Sequence, residues 1–354
     1  MPSLPAVDVN LFVYNGATTV GQVIESVLAQ TWPNLSITLI DDGSTDGTLQ
    51  LLRDYATARP GICVKHNRRN SGAIPNFQRA FWFGDADFVM PKSGDDVIAP
   101  EFVERVMAVL LANPNCAMCH AAGLIFRDGG EVVGRYPPEH WLNATDAEPR
   151  ARTLHVMQRY TSSPSFWGIY RRDAADRLSP IRYRAGWDHV LLAELALHGE
   201  IRHVPECLYW RRDGGKPVLT LARAATEQGC RGLPLDDELA EQRWRTPLIT
   251  TAWAHIEMFA ATRLTYDDRL ALMRAVPGVY RRRWLDLMLR EAEALRGHLP
   301  ALLDRMERSD RIAAHWQARS IGDCVLAAQT IVPEVDFGPA LLELAAITGE
   351  PIRQ

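Results

Sequence analysis

The amino-acid sequence predicts an α/β protein with a mostly parallel sheet flanked by helices, followed by an all-helical region. In the first half of the chain, short apolar runs typical of buried strands alternate with amphipathic helical patterns. This alternation is typical of a layered α/β sheet. After the Gly- and Pro-containing stretch at residues 213–217, nearly every pattern is helical. We therefore predict one domain over residues 1–217 and a second, helical domain over residues 218–354.

Strand and helix patterns follow one another in a regular order. Strands are predicted over residues 7–14, 35–40, 62–66, 88–90, 116–126 and 201–210. Helices of the first domain are predicted over residues 19–30, 48–55, 77–83, 100–110 and 187–198. In the first helix, Thr19 and Gln22 have the spacing of a capping box, and Pro75 and Pro100 suit the first turns of the third and fourth helices. Helices of the second domain are predicted over residues 253–263, 266–275, 279–295, 300–307 and 313–331.

The overall composition restricts the classes of function. The chain is 47% hydrophobic and 23% charged with a net charge of −4, which argues against a nucleic-acid partner. No apolar run approaches the roughly 20 residues needed to cross a bilayer, and the first residues lack the pattern of a signal peptide. Six scattered cysteines do not suggest a disulfide framework. We therefore predict a cytoplasmic protein. A peripheral contact of residues 281–284 with the inner membrane face is an alternative to a solvated helix face.

Paired carboxylates follow two of the predicted strands. Asp41-Asp42 comes after the second strand and Asp95-Asp96 after the fourth. In an open α/β sheet, ligands bind outside the carboxyl ends of the strands. Such carboxylates can accept from a nucleobase or ribose, or hold a hard divalent cation on substrate phosphates. The alternatives are an Asx-turn or helix cap near Asp46 and a solvated turn at Asp95-Asp96.

Several segments in consistent order over residues 5–212 share one resemblance. They are Phe12-Val13-Tyr14-Asn15, Asp41-Asp42-Gly43-Ser44, Asn70-Ser71-Gly72, Asn76-Phe77-Gln78-Arg79-Ala80, Ser93-Gly94-Asp95-Asp96, Gly186-Trp187-Asp188 and Val204-Pro205-Glu206. Together they resemble family 2 glycosyltransferases, which are inverting enzymes of the GT-A fold. The resemblance is to a subgroup in which an N-x-G turn precedes an N-F-x-x-A helix.

This resemblance implies that the chain moves a sugar from a nucleotide diphosphate donor to an acceptor hydroxyl, in polysaccharide, glycan or glycolipid synthesis. Asp42 would accept from the nucleobase, Asp96 would hold Mg²⁺ or Mn²⁺ on the diphosphate, and Asp188 would deprotonate the acceptor hydroxyl. The implied donor-binding residues are Phe12, Tyr14, Asp42, Asn76, Asp95 and Arg211. The implied acceptor contacts are Trp167, Trp187 and His189. The helical domain would bind the carbohydrate or glycolipid acceptor, build a homo-oligomer or cover the cleft.

Two departures from the family pattern keep alternatives open. Ser93 stands where the family's D-x-D-type motif often begins with Asp, and Asp213 stands where some members carry a histidine. Both departures motivate a nucleotide-sugar-binding pseudoenzyme as the second hypothesis. A sugar-1-phosphate nucleotidyltransferase is a third, although residues 15–18 lack the Gly-rich loop of that family.

Structural roles are the alternatives at individual positions. Asp188 could cap its helix, Arg211 and Arg212 could form an exposed ion pair, and Trp167 could belong to the core. Cys116-x-x-Cys119-His120 matches a haem-attachment pattern, but it lies in an apolar strand and is better explained by buried thiols.

Overall fold

The computed structural model describes residues 4–161, 163–181, 186–214, 246–308 and 311–349. Within these ranges the chain divides into two compact units. The first contains residues 4–181 and 191–214, and the second contains residues 186–190 and 246–349. The boundary predicted between residues 217 and 218 lies outside the described residues. The sequence placed residues 186–190 in the first domain, whereas the structure groups them with the helical unit.

A mixed sheet forms the centre of the first unit. Its strands are β1 Val7–Val13, β2 Leu35–Asp41, β3 Ile62–His66, β4 Phe88–Ser93, β5 Val97–Ile98, β6 Cys116–Phe126, β7 Val132–Arg135, β8 Gly168–Arg171 and β9 Glu200–Arg212. Their order across the sheet is β3-β2-β1-β4-β8-β6-β9-β5, with β7 paired to β6. The β3-β2-β1-β4 part is parallel, as is the β6–β9 pair, whereas β8 runs antiparallel to both β4 and β6. The predicted α/β class is confirmed.

Helices cover both faces of this sheet. They are α1 Val20–Leu28, α2 Thr48–Ala58, α3 Ala73–Ala80, α4 Phe102–Ala112, α5 Pro149–Arg159, α6 Arg172–Ala175 and α7 Trp187–His198, with short 3₁₀ turns at Pro138–His140 and Ser163–Phe166. The predicted helices and strands are present. Helix α5 and strands β5, β7 and β8 lie where the sequence has no regular pattern.

The predicted capping box at the start of α1 is wrong. Thr19 makes no side-chain cap, and its backbone (φ −118°, ψ −35°) is helical rather than extended. An N-cap side chain reaches the N2 or N3 amide only from an extended backbone. The Thr19 hydroxyl instead lies 3.4 Å from the carbonyl oxygen of Gly94, and the Gln22 amide oxygen accepts from Arg212. Both side chains therefore contact other parts of the first unit rather than the helix terminus.

Strand β1 has an apolar face and a polar face, and both are buried. Its odd-numbered residues, Val7 to Val13, belong to the hydrophobic clusters formed with α1, α2 and α4. On the other face, Asn10 donates to the carbonyl oxygens of Ala80 at 2.7 Å and Phe83 at 2.9 Å. Asp8 accepts from Arg172 and from the amide of Ala86. These polar residues hold the segment between α3 and β4 against the sheet.

The second unit is helical. It contains the first residues of α7 together with α8 Pro247–Ala261, α9 Tyr266–Glu307, α10 Arg311–Ile331 and α11 Gly338–Thr348. The three helices predicted between residues 266 and 307 form one long helix that is kinked at Trp284. Glu291 of α9 accepts from the amides of Leu248 and Ile249 and so caps the N-terminus of α8. In the described part of the chain, no helix is both long enough and apolar enough to cross a membrane.

Candidate active site

The carboxyl ends of four strands lie side by side at one edge of the sheet. Val13 of β1 pairs with Asp41 of β2, Asp41 pairs with His66 of β3, and Phe12 of β1 pairs with Ser93 of β4. The loops that follow these strands therefore meet at one edge, which is where open α/β sheets bind ligands. Both predicted acidic pairs lie at this edge.

Asp41 and Asn15 join the loops after β1 and β2. Asp41 is fully buried and accepts from the amides of Gly43 and Ser44 at 3.1 Å and from the His66 ring at 2.9 Å. Asn15 has a positive φ of 50° and accepts from the amide of Thr45 at 2.8 Å. Asn and Asp tolerate this left-handed conformation better than other side chains. Both residues therefore shape the loops at this edge.

Asp42 anchors the loop between β3 and α3. Its carboxylate, which is 3% exposed, accepts from four donors: the amides of Ser71 and Gly72, the Ser71 hydroxyl and the Asn67 amide group. An ionised carboxylate offers about four lone-pair sites, so these donors already satisfy it. The contact predicted between Asp42 and a nucleobase would require one of the donors to leave. In the structure, the hydrogen bonds to Asp42 hold this loop in its conformation.

Asn76 belongs to the same network. Its amide group donates to the carbonyl oxygen of Gly72 at 2.8 Å, and its oxygen accepts from Asn67 at 3.0 Å. Asn76 is 1% exposed, so its side chain contacts the loop and does not face solvent. The predicted donor contact of Asn76 would therefore be indirect, through the loop that it holds.

Asp95 and Asp96 differ in their surroundings although they are adjacent. Asp96 is 8% exposed, and its two oxygens accept from the Tyr209 hydroxyl and from the amide of Arg212 at 3.0 Å. The Asp95 side chain is exposed to solvent. The pKa of Asp95 is raised, mainly because neighbouring protein atoms displace part of the water around its carboxylate, and also because Asp96 is negatively charged. The positive charges of Lys92 and Arg212 oppose this shift. Asp95 is therefore the carboxylate of this pair that a ligand can reach directly.

The acidic pair fits a divalent cation held jointly with a substrate. Among the described residues, no three His, Cys, Asp or Glu side chains are grouped so that they could hold a metal ion. Mg²⁺ is usually bound through one or two carboxylates plus substrate phosphates and water rather than by an all-protein cage. Asp95 and Asp96 match that pattern, since each Asp96 oxygen retains a lone pair beside its hydrogen bond.

Lys92 is a site residue that the sequence analysis did not find. It is completely buried at the end of β4, and its ammonium group donates to the carbonyl oxygens of Ser93 at 3.0 Å and Asp96 at 2.5 Å. Burial lowers the pKa of Lys92 to about 8, and the charges of Asp96 and Asp95 oppose the shift. The signal available in the sequence was a lysine inside an otherwise apolar strand, directly before Ser93-Gly94. Its charge lies beneath the acidic turn and partly offsets the two carboxylates.

Two arginines at the end of β9 lie beside this turn. Arg211 donates to the Tyr136 hydroxyl at 2.8 Å, and the ion pair considered for the two arginines forms at Arg212. Arg212 donates to the carbonyl oxygen of Asp95 at 3.0 Å and pairs with Asp128. Asp213 accepts from Arg127 at 3.1 Å. The neighbourhood of the acidic turn thus contains the positive charge that a diphosphate would need.

Aromatic side chains form a wall next to the same edge. Phe12 and Tyr14 are half-buried at the end of β1. The Phe12 ring lies 6.3 Å from Phe77 and 6.1 Å from Trp167, and Trp167 stacks parallel to Tyr209 at 6.5 Å. Trp167 is half-buried and packs against the main hydrophobic cluster, so it is at least in part a core residue.

The predicted base and two predicted acceptor contacts belong to the second unit. Trp187, Asp188 and His189 form the first turn of α7, and all three are half-buried. The His189 ring lies 6.5 Å from the ring of Trp284, and burial lowers the pKa of His189. The other predicted site residues lie in the first unit.

The cysteine pattern in β6 is structural. Cys116, Cys119 and His120 are buried in the strand, and His120 bonds the carbonyl oxygen of Leu142 at 2.9 Å. Burial raises the pKa of the Cys116 thiol to about 11, so it stays protonated at neutral pH. A protonated, buried thiol is a poor metal ligand, which agrees with the preference for core thiols over haem.

Loops, paired carboxylates and arginines are gathered at the carboxyl edge of parallel strands, which is where open α/β sheets bind ligands. Residues 9–178 match the family model described as glycosyl transferase family 2. The uncharacterized glycosyltransferase YibD of Escherichia coli is 28% identical over 192 residues, which cover 53% of this chain and 55% of that protein. Chondroitin synthase of Escherichia coli is 29% identical over 166 residues, covering 45% of this chain and 23% of that protein.

A solved structure has the same fold. The crystal structure of S. aureus TarS 1–349 in complex with UDP-GlcNAc superposes with a TM-score of 0.51 at 15% identity, covering 98% of this chain and 92% of that chain. It confirms the predicted GT-A fold. The chain spans about half the length of curated relatives such as YibD.

Proposed function

We propose that this chain is an inverting glycosyltransferase that moves a sugar from a nucleotide diphosphate donor to an acceptor hydroxyl. The observation that carries the proposal is the acidic turn at the end of β4, where solvent-exposed Asp95 stands beside Asp96 and Arg212 in a segment of family 2. Carboxylates and arginines together suit a diphosphate accompanied by a divalent cation.

Each part of the proposed site has a chemical task. Asp95 and Asp96 would hold Mg²⁺ or Mn²⁺ together with the donor diphosphate, and that ion would supply Lewis-acid stabilisation of the leaving phosphate. Arg211 and Arg212 would add positive charge there. Phe12 and Tyr14 would pack against the base and ribose, in a pocket whose loop is folded by Asp42 and Asn76. Asp188 would take the proton of the acceptor hydroxyl as the bond to the sugar forms.

The class of donor and product also belongs to this proposal. TarS binds UDP-GlcNAc, and chondroitin synthase is named for a polysaccharide product, which supports a nucleotide-sugar donor and a carbohydrate or glycolipid acceptor. The described cysteines are all free of disulfides, which supports a reducing, cytoplasmic setting. A homo-oligomer and a peripheral membrane contact are further proposals for the helical region.

The first test is a thermal-shift and calorimetric panel of UDP, GDP, dTDP and CMP, each with Mn²⁺ and with chelator. One diphosphate should stabilise the protein, and the stabilisation should fall when the metal is removed. Asp95→Asn should abolish the metal-dependent part with little change in unliganded Tm, because Asp95 is solvent-exposed. Asp96→Asn should also lower the unliganded Tm, because Asp96 binds Tyr209 and Arg212. No response to any nucleotide would contradict the proposed site.

A nucleotide-sugar-binding pseudoenzyme is the second candidate. It is favoured by one observation, the engagement of both Asp96 oxygens by Tyr209 and Arg212. Metal-independent donor binding without hydrolysis or transfer would support this candidate over the enzyme. Metal-dependent release of the nucleotide diphosphate from the donor would exclude it.

A further inference from the structure

The chain just before Asp188 passes very close to helix α8. Gly186 has a φ of +66°, and a Cβ added there would lie 2.3 Å from the Thr251 hydroxyl oxygen and 2.5 Å from its methyl carbon. Thr251 cannot move aside easily, because it is 4% exposed and its hydroxyl donates to the carbonyl oxygen of Pro247 at 2.6 Å. Only glycine allows both this conformation and this close approach. The segment that leads into Asp188 is therefore fitted against a helix of the second unit.

The chain just after Asp188 meets the kink in helix α9. The His189 ring lies 6.5 Å from the Trp284 ring, at an interplanar angle of 65°. Trp284 has non-helical backbone angles (φ −142°, ψ 26°), and neither proline of the helix, Pro277 or Pro300, stands at the kink. The Arg283 guanidinium lies 3.8 Å from the centre of the Trp284 ring. The interruption of the helix therefore falls at the residue that contacts His189.

A buried polar pair joins these two contacts. His255 and Tyr280 are 0% and 1% exposed, and the Tyr280 hydroxyl lies 3.3 Å from Nδ1 of His255. The same nitrogen lies 2.9 Å from the carbonyl oxygen of Thr251, and the Tyr280 ring lies 5.2 Å from Trp284. Because a carbonyl oxygen only accepts, Nδ1 of His255 carries the proton. The pair thus links the Gly186–Thr251 contact to the His189–Trp284 contact.

Both members of the pair are neutral at physiological pH. Burial lowers the pKa of His255 to about 4. Burial also raises the pKa of Tyr280; Arg283 opposes this shift and the negative charge of Asp188 reinforces it. Neutral, hydrogen-bonded groups give a rigid support that does not compete with Asp188 for charge.

We propose that the helical unit positions Asp188, through the close contact of Gly186 with Thr251 and through the wall formed by His255, Tyr280 and Trp284. This inference rests on the proposed function, in which Asp188 is the general base. The residues of this contact and this wall are positioning residues, because they would act on the reaction only through Asp188. A general base must lie within hydrogen-bond reach of its proton, and a displacement of about 1 Å can cost on the order of 10²-fold in rate. The helical region would thus be required for turnover rather than for donor binding.

Three variants test the close contact: Gly186→Ala, Thr251→Gly and the double variant. Gly186→Ala should lower kcat on the order of 10²-fold while the KM for the donor stays within about twofold, because the added methyl displaces the chain before Asp188. The double variant should recover at least about tenfold in kcat, because Thr251→Gly removes the atoms that the methyl meets. Gly349→Ala is the matched control, since Gly349 has a φ of +68° with no atom within 4 Å of an added Cβ. It carries the same backbone strain without the collision and should leave kcat unchanged.

Amide hydrogen exchange gives a readout that does not depend on activity. The Val190 amide donates to the carbonyl oxygen of Gly186 at 3.2 Å. Its exchange should accelerate in Gly186→Ala and slow again in the double variant. Should the wild-type protein neither transfer nor hydrolyse any donor, the proposed function would fail, and the exchange data would still decide the positioning. Unchanged kcat and exchange in Gly186→Ala, or a loss that Thr251→Gly does not relieve, would overturn the inference.

Discussion

The aspartates at the strand ends of this protein have different surroundings and different structural roles, although their side chains are the same. Of the acidic residues discussed, Asp41 and Asp42 accept from loop amides, Asp96 accepts from Tyr209 and Arg212, and Asp95 is exposed to solvent. Asp188 stands in the first turn of α7, where the positive end of the helix dipole is favourable for a negatively charged side chain. An ionised carboxylate can accept a proton, and so Asp188 is the residue at which the proposed chemistry is tested.

The change Asp188→Asn keeps the shape of the side chain and removes its basicity. We expect transfer to fall by about 10²-fold or more, because general base catalysis contributes about 10²–10⁴ in rate. Donor affinity should stay nearly intact, since the amide leaves the donor-binding residues untouched. Single-turnover kinetics and nucleotide calorimetry measure the two quantities separately. Near-normal turnover would remove Asp188 from the mechanism.

At the scale of elements, the loop between β3 and α3 depends on one carboxylate. Asp42→Asn replaces an acceptor oxygen by an NH₂ group that faces the amides of Ser71 or Gly72. A buried donor left without an acceptor costs about 1–3 kcal/mol, so the loop should open more readily. Hydrogen exchange of the Ser71 and Gly72 amides should accelerate by on the order of 10–100-fold, since about 1.4 kcal/mol corresponds to tenfold.

Asp54→Asn on α2 is the control for this loop prediction. Asp54 is exposed, and its carboxylate accepts from the Gln50 amide group at 2.8 Å. Its replacement should change unfolding free energy by less than about 0.5 kcal/mol. Equal effects of Asp42→Asn and Asp54→Asn would show that the Asp42 network does not hold the loop.

At the scale of the whole molecule, each unit contains a fully buried histidine. Burial lowers the pKa of His120 in the first unit to about 4, and that of His255 in the second to about 4. As pH falls below about 6.5, these histidines bind a proton in the unfolded chain but stay neutral in the folded protein. Each histidine therefore lowers the free energy of unfolding as pH falls from about 6.5 to about 4. Glu291 acts in the opposite direction in the second unit: burial raises its pKa to about 7, so its effect is to reduce stability as pH rises from 4.5 to 7. The acid effect should therefore be clearest in the first unit.

Urea unfolding at several pH values checks this expectation. Between pH 7 and pH 5, His120 should account for a loss of about 2 kcal/mol, at about 1.4 kcal/mol per pKa unit. His120→Gln should remove most of that pH dependence, whereas His298→Gln, at an exposed position, should retain it. If both variants have the same pH dependence, the loss of stability is not caused by protonation of His120 on unfolding.

The central layout of the fold could be predicted from sequence because periodicity reports burial on one face of an element. Strands β1 to β4, strand β6 and helices α1 to α4 have such patterns. The two acidic pairs could be found because each lies at the end of one of these strands. Helix α5 and strand β8 escaped prediction. Strand β8 has only four residues between two antiparallel neighbours, which is too short for periodicity to register. The buried face of α5 contains Arg152 and Thr153 as well as Val156 and Met157, so it has no continuous apolar stripe.

The sequence by itself determined the fold class, the resemblance to family 2 and the edge at which the proposed site lies, since these depend on local patterns and on motif order. Only the tertiary structure decided which donors occupy each carboxylate, how deeply Lys92 is buried, and that the Asp188 segment packs with the helical unit. Those properties depend on contacts between residues such as Gly186 and Thr251, which are far apart in the chain. Burial and hydrogen bonding are set by what surrounds a side chain, and one sequence pattern is compatible with many surroundings.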